Sequence, residues 1–323
     1  MLKVCILDDY QDVIRHLKCF QLLDGYDIVL SHRAERNAQE LAKIIGDAEV
    51  LVLTRERTVI NEELLRLLPH LKLISQTGKI APHLDLNACT EHGICVAEGI
   101  GSPIAPAELC WALIMNAVRK LPEAMIAMKQ GRWQINIGQS IYGKTIGIWG
   151  YGKIGQRIAQ YSKAFGAEVL VWGSESSRQK ALEQGFNAAA SKEDFFRNAD
   201  VVTLHLRLLP QTLGLVKTED LMMMKDGAFF INTARAELVE KNGLENVLKS
   251  GKNIFVALDV FENEPIYDPD FPLLKFNQVI CTPHLGYVEW NSYELYFSKA
   301  FENIIHFDNG TLVEFANPEV LKK

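Results

Sequence analysis

The six cysteines of the chain, Cys5, Cys19, Cys89, Cys95, Cys110 and Cys281, include no CxxC pair and show no metal-ligand spacing. The usual zinc frameworks and a disulfide scaffold are therefore not indicated, the cysteines read as reduced core residues, and no metal is expected. Long apolar runs are lacking as well. None reaches the roughly 18 to 20 residues that span a bilayer, so no membrane partner is expected. The opening "MLKVCILDDYQD" meets acidic residues too early for a signal peptide, which points to a cytoplasmic protein. Positive charge is not in excess: 34 Lys and Arg against 40 Asp and Glu leave a formal net charge of -6. Such a chain has no field to attract a polyanion, and nucleic acid is not an expected partner. Low-complexity tracts and solenoid-type repeats are also absent.

What is present is the composition of a globular protein, 48% apolar and 23% charged, in 323 residues. That length suggests two domains. Short β-branched runs, "KVCILD", "DIVLS", "EVLVLT", "KLISQT" and "ICVAE", alternate with helical patterns, the rhythm of a parallel sheet with crossover helices. A second series follows from "TIGIWG" through "EVLVW", "VVTLHL", "AFFINTA", "IFVALDV" and "QVICTPH". The pattern predicts an α/β protein of two doubly wound parallel sheets. Between the series, "SPIAPAELCWALIMNAVRKLPEAMIAMKQGRW" reads as one long connecting helix with prolines at its start. The tail "NSYELYFSKAFENIIHFDNG" has helical spacing and is expected to cross back to the first domain. The resulting division is 1–101 with 287–323 against 102–286.

Three glycines, Gly150, Gly152 and Gly155, stand as GxGxxG between the strand "TIGIW" and the helical "QRIAQYSKAFG". A lone GxGxxG is weak, but strand, turn, helix and next strand together are what a dinucleotide cradle requires: a tight turn, close backbone approach to a pyrophosphate, and an anion at a helix N-terminus. After the next strand, "VWGSESSR" leaves Gly173 where an Asp ordinarily takes the ribose 2'-hydroxyl. Glu175 could reach back and select NAD, whereas Ser174, Ser177 and Arg178 could surround a 2'-phosphate and select NADP.

In an open parallel sheet, ligands sit beyond the C-terminal strand ends. The polar residues at those ends are His205, Thr233, Arg235, Asp259 with Glu264 beyond it, and His284. These types suit hydride transfer to a carbonyl beside a carboxylate. An Arg235 fork can hold the carboxylate, His284 can give and take the proton, and Glu264 can orient the imidazole.

In their order and spacing, "GYGKIG", "NTARAELVE", "LDVFENEP" and "TPHLGY" resemble the NAD(P)-dependent D-2-hydroxyacid dehydrogenase family, particularly its phosphoglycerate dehydrogenase-like branch. The resemblance implies a Rossmann-like cofactor domain inserted into a flavodoxin-like substrate domain, with NAD(H) or NADP(H) as cofactor and no metal. It implies Arg235, Glu264 and His284 as the catalytic set. Tyr151, Lys153, Ile154, Thr233, Ala234, Asp259 and Gly286 are implied as cofactor contacts beside the three glycines. "HLRLLPQT", in place of the family's "HxPLTxxT", adds His205 and Thr212. "TRERT" puts Arg55 toward substrate, and Gly78 and Lys79 match a backbone loop that meets the substrate carboxylate. Interconversion of a D-2-hydroxyacid and its 2-keto acid is implied, by a D-3-phosphoglycerate dehydrogenase-like enzyme or a glyoxylate or hydroxypyruvate reductase. A homodimer through the connecting helix and following arm is implied too. From another class, a cofactor-sensing, corepressor-like binding protein keeps the same three residues.

Overall fold

A computed structural model describes residues 2–311 and 314–322. The chain divides into two compact units, Met1–Ser102 with Glu289–Lys323, and Pro103–Val288.

In the first unit the elements run β1 (Lys3–Ile6), β2 (Asp27–Leu30), α1 (Ala38–Ile45), β3 (Val50–Leu53), α2 (Glu62–Leu65), β4 (Leu73–Gln76), α3 (Leu86–Glu91) and β5 (Cys95–Ala97). The strands pair in parallel in the order β2-β1-β3-β4-β5. Both faces of such a sheet are covered, which is why β3 and β4 read as continuous buried runs rather than alternating ones. Helix starts are set locally: Asn37, Asn61 and Asp85 accept amide N–H bonds at the first turns of α1, α2 and α3.

The second unit opens with α4 (Ile104–Arg119) and α5 (Leu121–Lys129). This corrects the expectation of one long helix. Lys120 turns left-handed at φ 53° between the two, and Pro122 opens α5. A proline inside a continuous helix would remove an amide and clash with the carbonyl four residues back, so the chain restarts there. Then follow β6 (Thr145–Trp149), α6 (Lys153–Ala164), β7 (Glu168–Trp172), α7 (Glu175–Glu183), β8 (Asn187–Ala188), α8 (Lys192–Asn198), β9 (Val201–Leu204), α9 (Thr218–Met222), β10 (Ala228–Asn232), α10 (Gly243–Lys249), β11 (Ile254–Leu258) and β12 (Val279–Cys281). The parallel order is β12-β11-β10-β9-β6-β7-β8. The two-residue β8 is an addition to the six strands that the sequence predicts.

Alternate residues of β6 and β10 feed two cores. Ile146, Ile148, Phe229 and Ile231 lie on one face, and Trp149, Ala228 and Phe230 on the other. On the latter, Trp149 meets Phe195 and Phe196 edge-on at 5.9 and 5.8 Å. Gly147 fits the same layer because a Cβ would come within 2.8 Å of Ala199 and 2.9 Å of Phe195.

The last helix, α11 (Trp290–Asp308), belongs to the first unit. It packs on β4, where buried Ser75 donates to the Ala300 carbonyl at 2.8 Å. Asn317, further on, accepts the Val96 amide of β5 at 2.9 Å. Among the described residues no helix is long and apolar enough to cross a membrane.

Candidate active site

In the second unit, strand order reverses beside β6, with β7 on one side and β9 on the other. The crevice that such a reversal opens lies at the C-terminal strand ends, and the glycine loop fills that position. Gly150 has φ 100°, and a Cβ there would lie 2.6 Å from the His205 carbonyl. At Gly155 a Cβ would overlap the Gly150 carbonyl, so this glycine lets α6 pack against its strand. Gly152 differs from both, because nothing lies within 4 Å of its missing Cβ. It caps α6 without a side-chain bond, and the first intrahelical amide bond in the loop is Gln156 to Gly152 at 3.0 Å. The amides of Lys153, Ile154 and Gly155 therefore face out of the helix end with no acceptor among the described residues. A bare, positively polarised helix end behind an open glycine fits a pyrophosphate.

Other members of the predicted cofactor set take different positions. Tyr151 turns its ring into the core, 3% exposed, and its hydroxyl donates to Gln184 at 2.6 Å, leaving only backbone to the loop. The His205 imidazole sits with Nε2 3.1 Å from the Thr203 hydroxyl, and burial pushes its pKa down to about 3. Thr212 spends its hydroxyl within its own turn, on the carbonyls of Arg207 and Leu209. After β7, Gly173 has φ 149° and Ser174 caps α7 by accepting the Ser177 amide at 3.3 Å. Glu175 is exposed, whereas Arg178 lies over the Trp172 ring at 4.9 Å.

Three neighbouring strands, β10, β11 and β12, bring Arg235, Glu264 and His284 to the same edge. Asn232 ends β10 and is 1% exposed; its amide group accepts from the Ala234 N–H at 3.0 Å and donates to the Arg235 carbonyl at 2.8 Å. That clamp fixes the Thr233–Arg235 turn, with Arg235 Nη1 on the Ala234 carbonyl at 2.6 Å. Sequence reasoning missed Asn232, which reads as the polar end of an apolar strand.

Asp259, 0% exposed, does the same for the loop after β12. Its carboxylate accepts the Leu285 and Gly286 amides at 2.7 and 2.9 Å and the Thr282 hydroxyl at 2.7 Å. Burial pushes its pKa up, and these donors oppose that shift. The bonds hold His284 at φ 53°, a conformation that non-glycine residues seldom adopt and that clusters at functional sites. His284 Nδ1 donates to Glu264 Oε2 at 2.5 Å, and Glu264 Oε1 accepts the Phe261 amide at 2.8 Å. With Nδ1 engaged, Nε2 is the nitrogen left to meet a ligand.

The first unit has a polar edge of its own where strand order reverses between β1 and β3. Arg55, at φ 56°, lies over the Tyr296 ring at 5.4 Å and so close above Gly78 that a Cβ there would overlap the guanidinium. The amides of Gly78 and Lys79 have no acceptor among the described residues. Lys79 itself is paired with Glu98 at 2.6 Å. Arg57 lies over Tyr10 at 4.3 Å and donates to the Asp8 carbonyl at 3.1 Å. The Asp8 side chain accepts from Thr58 and Tyr10 at 2.7 and 3.0 Å, and burial pushes its carboxyl up.

A seven-stranded doubly wound sheet with a bare glycine-rich helix end defines the second unit as a dinucleotide-binding domain of an oxidoreductase type. Residues 111–286 match the family model described as D-isomer specific 2-hydroxyacid dehydrogenase, NAD binding domain, and the chain belongs to that family. Its cofactor is accordingly a nicotinamide dinucleotide. A crystal structure of a phosphoglycerate oxidoreductase from Vibrio cholerae O395 shares 51% identity, with a TM-score of 0.94 over 96% of this chain and 100% of that one. A Ralstonia solanacearum oxidoreductase, provisionally assigned as a D-3-phosphoglycerate dehydrogenase, shares 46% with a TM-score of 0.97 over 99% and 98%. The D-3-phosphoglycerate dehydrogenase of Methanocaldococcus jannaschii is 36% identical over 77% of this chain and 47% of the relative. The chain thus spans about half the length of the curated relatives it matches first.

Proposed function

We propose that the chain interconverts a D-2-hydroxyacid and its 2-keto acid with NAD(H) or NADP(H). The observation that carries this reading is the Glu264–His284 pair, with Nδ1 engaged at 2.5 Å and Nε2 left over, at the edge of a nicotinamide-binding unit. A nicotinamide bound there supplies or accepts the hydride. His284 gives the carbonyl oxygen its proton from Nε2 and recovers it in the reverse direction. Glu264 holds the ring in that tautomer and orientation. Arg235 takes the substrate carboxylate in its guanidinium fork and polarises the neighbouring carbonyl. The amides of Lys153, Ile154 and Gly155, which have no acceptor among the described residues, take the pyrophosphate, with Gly150 and Gly152 admitting it. Thr233 and Ala234 border the nicotinamide end, Asp259 acts from beneath by holding the loop that carries His284 and Gly286, and Arg55 with the Gly78 and Lys79 amides serves the substrate.

Two guanidiniums on the first unit's edge, Arg55 and Arg57, support a phosphorylated acid of the 3-phosphoglycerate type over glyoxylate or hydroxypyruvate. Lys79 adds little to that, its ammonium being neutralised by Glu98. A homodimer is proposed through α5 and the arm after it, where Met125, Trp133 and Ile137 are 61%, 74% and 91% exposed. Consumption of NADH or NADPH with phosphohydroxypyruvate, hydroxypyruvate, glyoxylate and pyruvate tests the reading. Turnover with one of these acids is expected; tight cofactor binding with no turnover across 2-keto acids of every size would favour the corepressor-like alternative.

A further inference from the structure

The loop after β7 reads the adenosine ribose in this kind of fold, and its chemistry here points one way. The position that ordinarily presents a carboxylate to the 2'- and 3'-hydroxyls is Gly173, at φ 149° and packed 3.5 Å, measured from its missing Cβ, from Ser177. Glu175 starts α7, is exposed, and takes no hydrogen bond among the described residues. The cation of the loop is differently placed. Arg178 extends across the face of Trp172, the last residue of β7, at 4.9 Å, and its Nε is buried with no acceptor among the described residues. The Ser174 and Ser177 hydroxyls, at the start of the same helix, lie 3.1 Å from one another. A guanidinium laid on an indole, its Nε short of an acceptor among the described residues, in a loop that also carries two hydroxyls, suits an oxyanion better than a neutral diol.

We infer that Arg178, with Ser174 and Ser177, selects NADP(H) over NAD(H) by binding the 2'-phosphate. The inference rests on the reading of this unit as a nicotinamide-binding one. Stacking on Trp172 holds the fork in place before the cofactor arrives, so its ordering cost is already met by the fold. Glu175 is the rival determinant, since its carboxylate would favour the unphosphorylated ribose.

Direct binding separates these outcomes without requiring the identity of the keto acid. The full chain is titrated with NADPH and with NADH by tryptophan-to-nicotinamide fluorescence transfer, and each complex is displaced with 2',5'-ADP and with 5'-AMP. NADPH is expected to bind at least about 10-fold more tightly, and 2',5'-ADP to displace better than 5'-AMP. Arg178→Gln is expected to weaken NADPH by about 10- to 100-fold and leave NADH nearly unchanged. Arg178→Met, which keeps the contact with Trp172 and loses the charge, should behave like Arg178→Gln, and Arg178→Lys should recover part of the loss. Equal or tighter binding of NADH overturns the inference, as does an equal loss for both cofactors in Arg178→Gln, or a selective loss of NADH in Glu175→Gln. Binding of neither cofactor overturns the nicotinamide reading itself and the inference with it.

Discussion

The two sheets reverse strand order in the same manner, yet their C-terminal edges are made of different material. The edge of the second unit at β6 is largely backbone: three glycines, a helix end whose first amides find no acceptor among the described residues, and side chains such as Tyr151 and His205 turned inward. The edge of the first unit at β1 and β3 is built of side chains, with Arg55 and Arg57 each laid on a tyrosine ring and Asp8 buried beneath. Backbone donors suit a ligand portion that never varies, such as a pyrophosphate. Guanidiniums on aromatic supports can be exchanged by mutation without rebuilding the chain path, which suits the portion that distinguishes one acid from another.

Substitutions can break this contrast, beginning with the largest effect. His284→Ala is expected to lower turnover by about 10² to 10⁴ while cofactor affinity stays nearly unchanged; near-normal turnover would remove His284 from the mechanism. Gly150→Ala should weaken cofactor binding by at least about 10-fold and cost roughly 1 to 3 kcal/mol of stability, because φ 100° and the His205 carbonyl at 2.6 Å both oppose a Cβ. Normal cofactor binding by that variant would mean that the cofactor does not approach the Gly150 backbone closely.

An acid-stability measurement examines the inward-turned side chains. His205 titrates at about 3 in the folded chain, below the roughly 6.5 of an unfolded histidine. The unfolded state therefore binds the extra proton between those values. The stability this histidine contributes is complete above about pH 6.5 and is lost as pH falls toward 3. His205→Asn should flatten the drop in the urea midpoint between pH 7 and pH 4, and an unchanged slope would contradict a buried neutral imidazole. The smallest effect is expected from Tyr296→Leu, which removes the ring beneath Arg55 and should raise KM by about 2- to 5-fold with little change in kcat. A change in kcat alone would mean that the ring does something other than hold the arginine.

Much of the architecture was legible because buried parallel strands must be apolar along their whole length, and "VLVL" or "AFFIN" admits few other readings. The break at Lys120 was not, since the residues on both sides are good helix formers and Pro122 is equally at home at the start of a helix. Two residues of β8 carry no periodic signal at all. In the candidate site, residue types and strand ends could be read, but side-chain direction could not. Nothing in "GYGKIG" says that Tyr151 turns inward, nor does "TGKIAPHL" disclose that Glu98 neutralises Lys79. The support of Arg55 by Tyr296 joins residues at opposite ends of the chain, and no local pattern encodes it.

The division of the first unit into Met1–Ser102 and Glu289–Lys323 also has a consequence for synthesis. When β4 and β5 leave the ribosome, Ser75 and the Val96 amide lack the partners that later cover them, Ala300 and Asn317. All of Pro103–Val288 must be translated first, which takes about 10 to 40 s at ordinary elongation rates. The nascent chain therefore completes its inserted unit while the amino-terminal sheet, all five strands already made, waits for the helix that covers it, and the order of birth is the reverse of the order of completion.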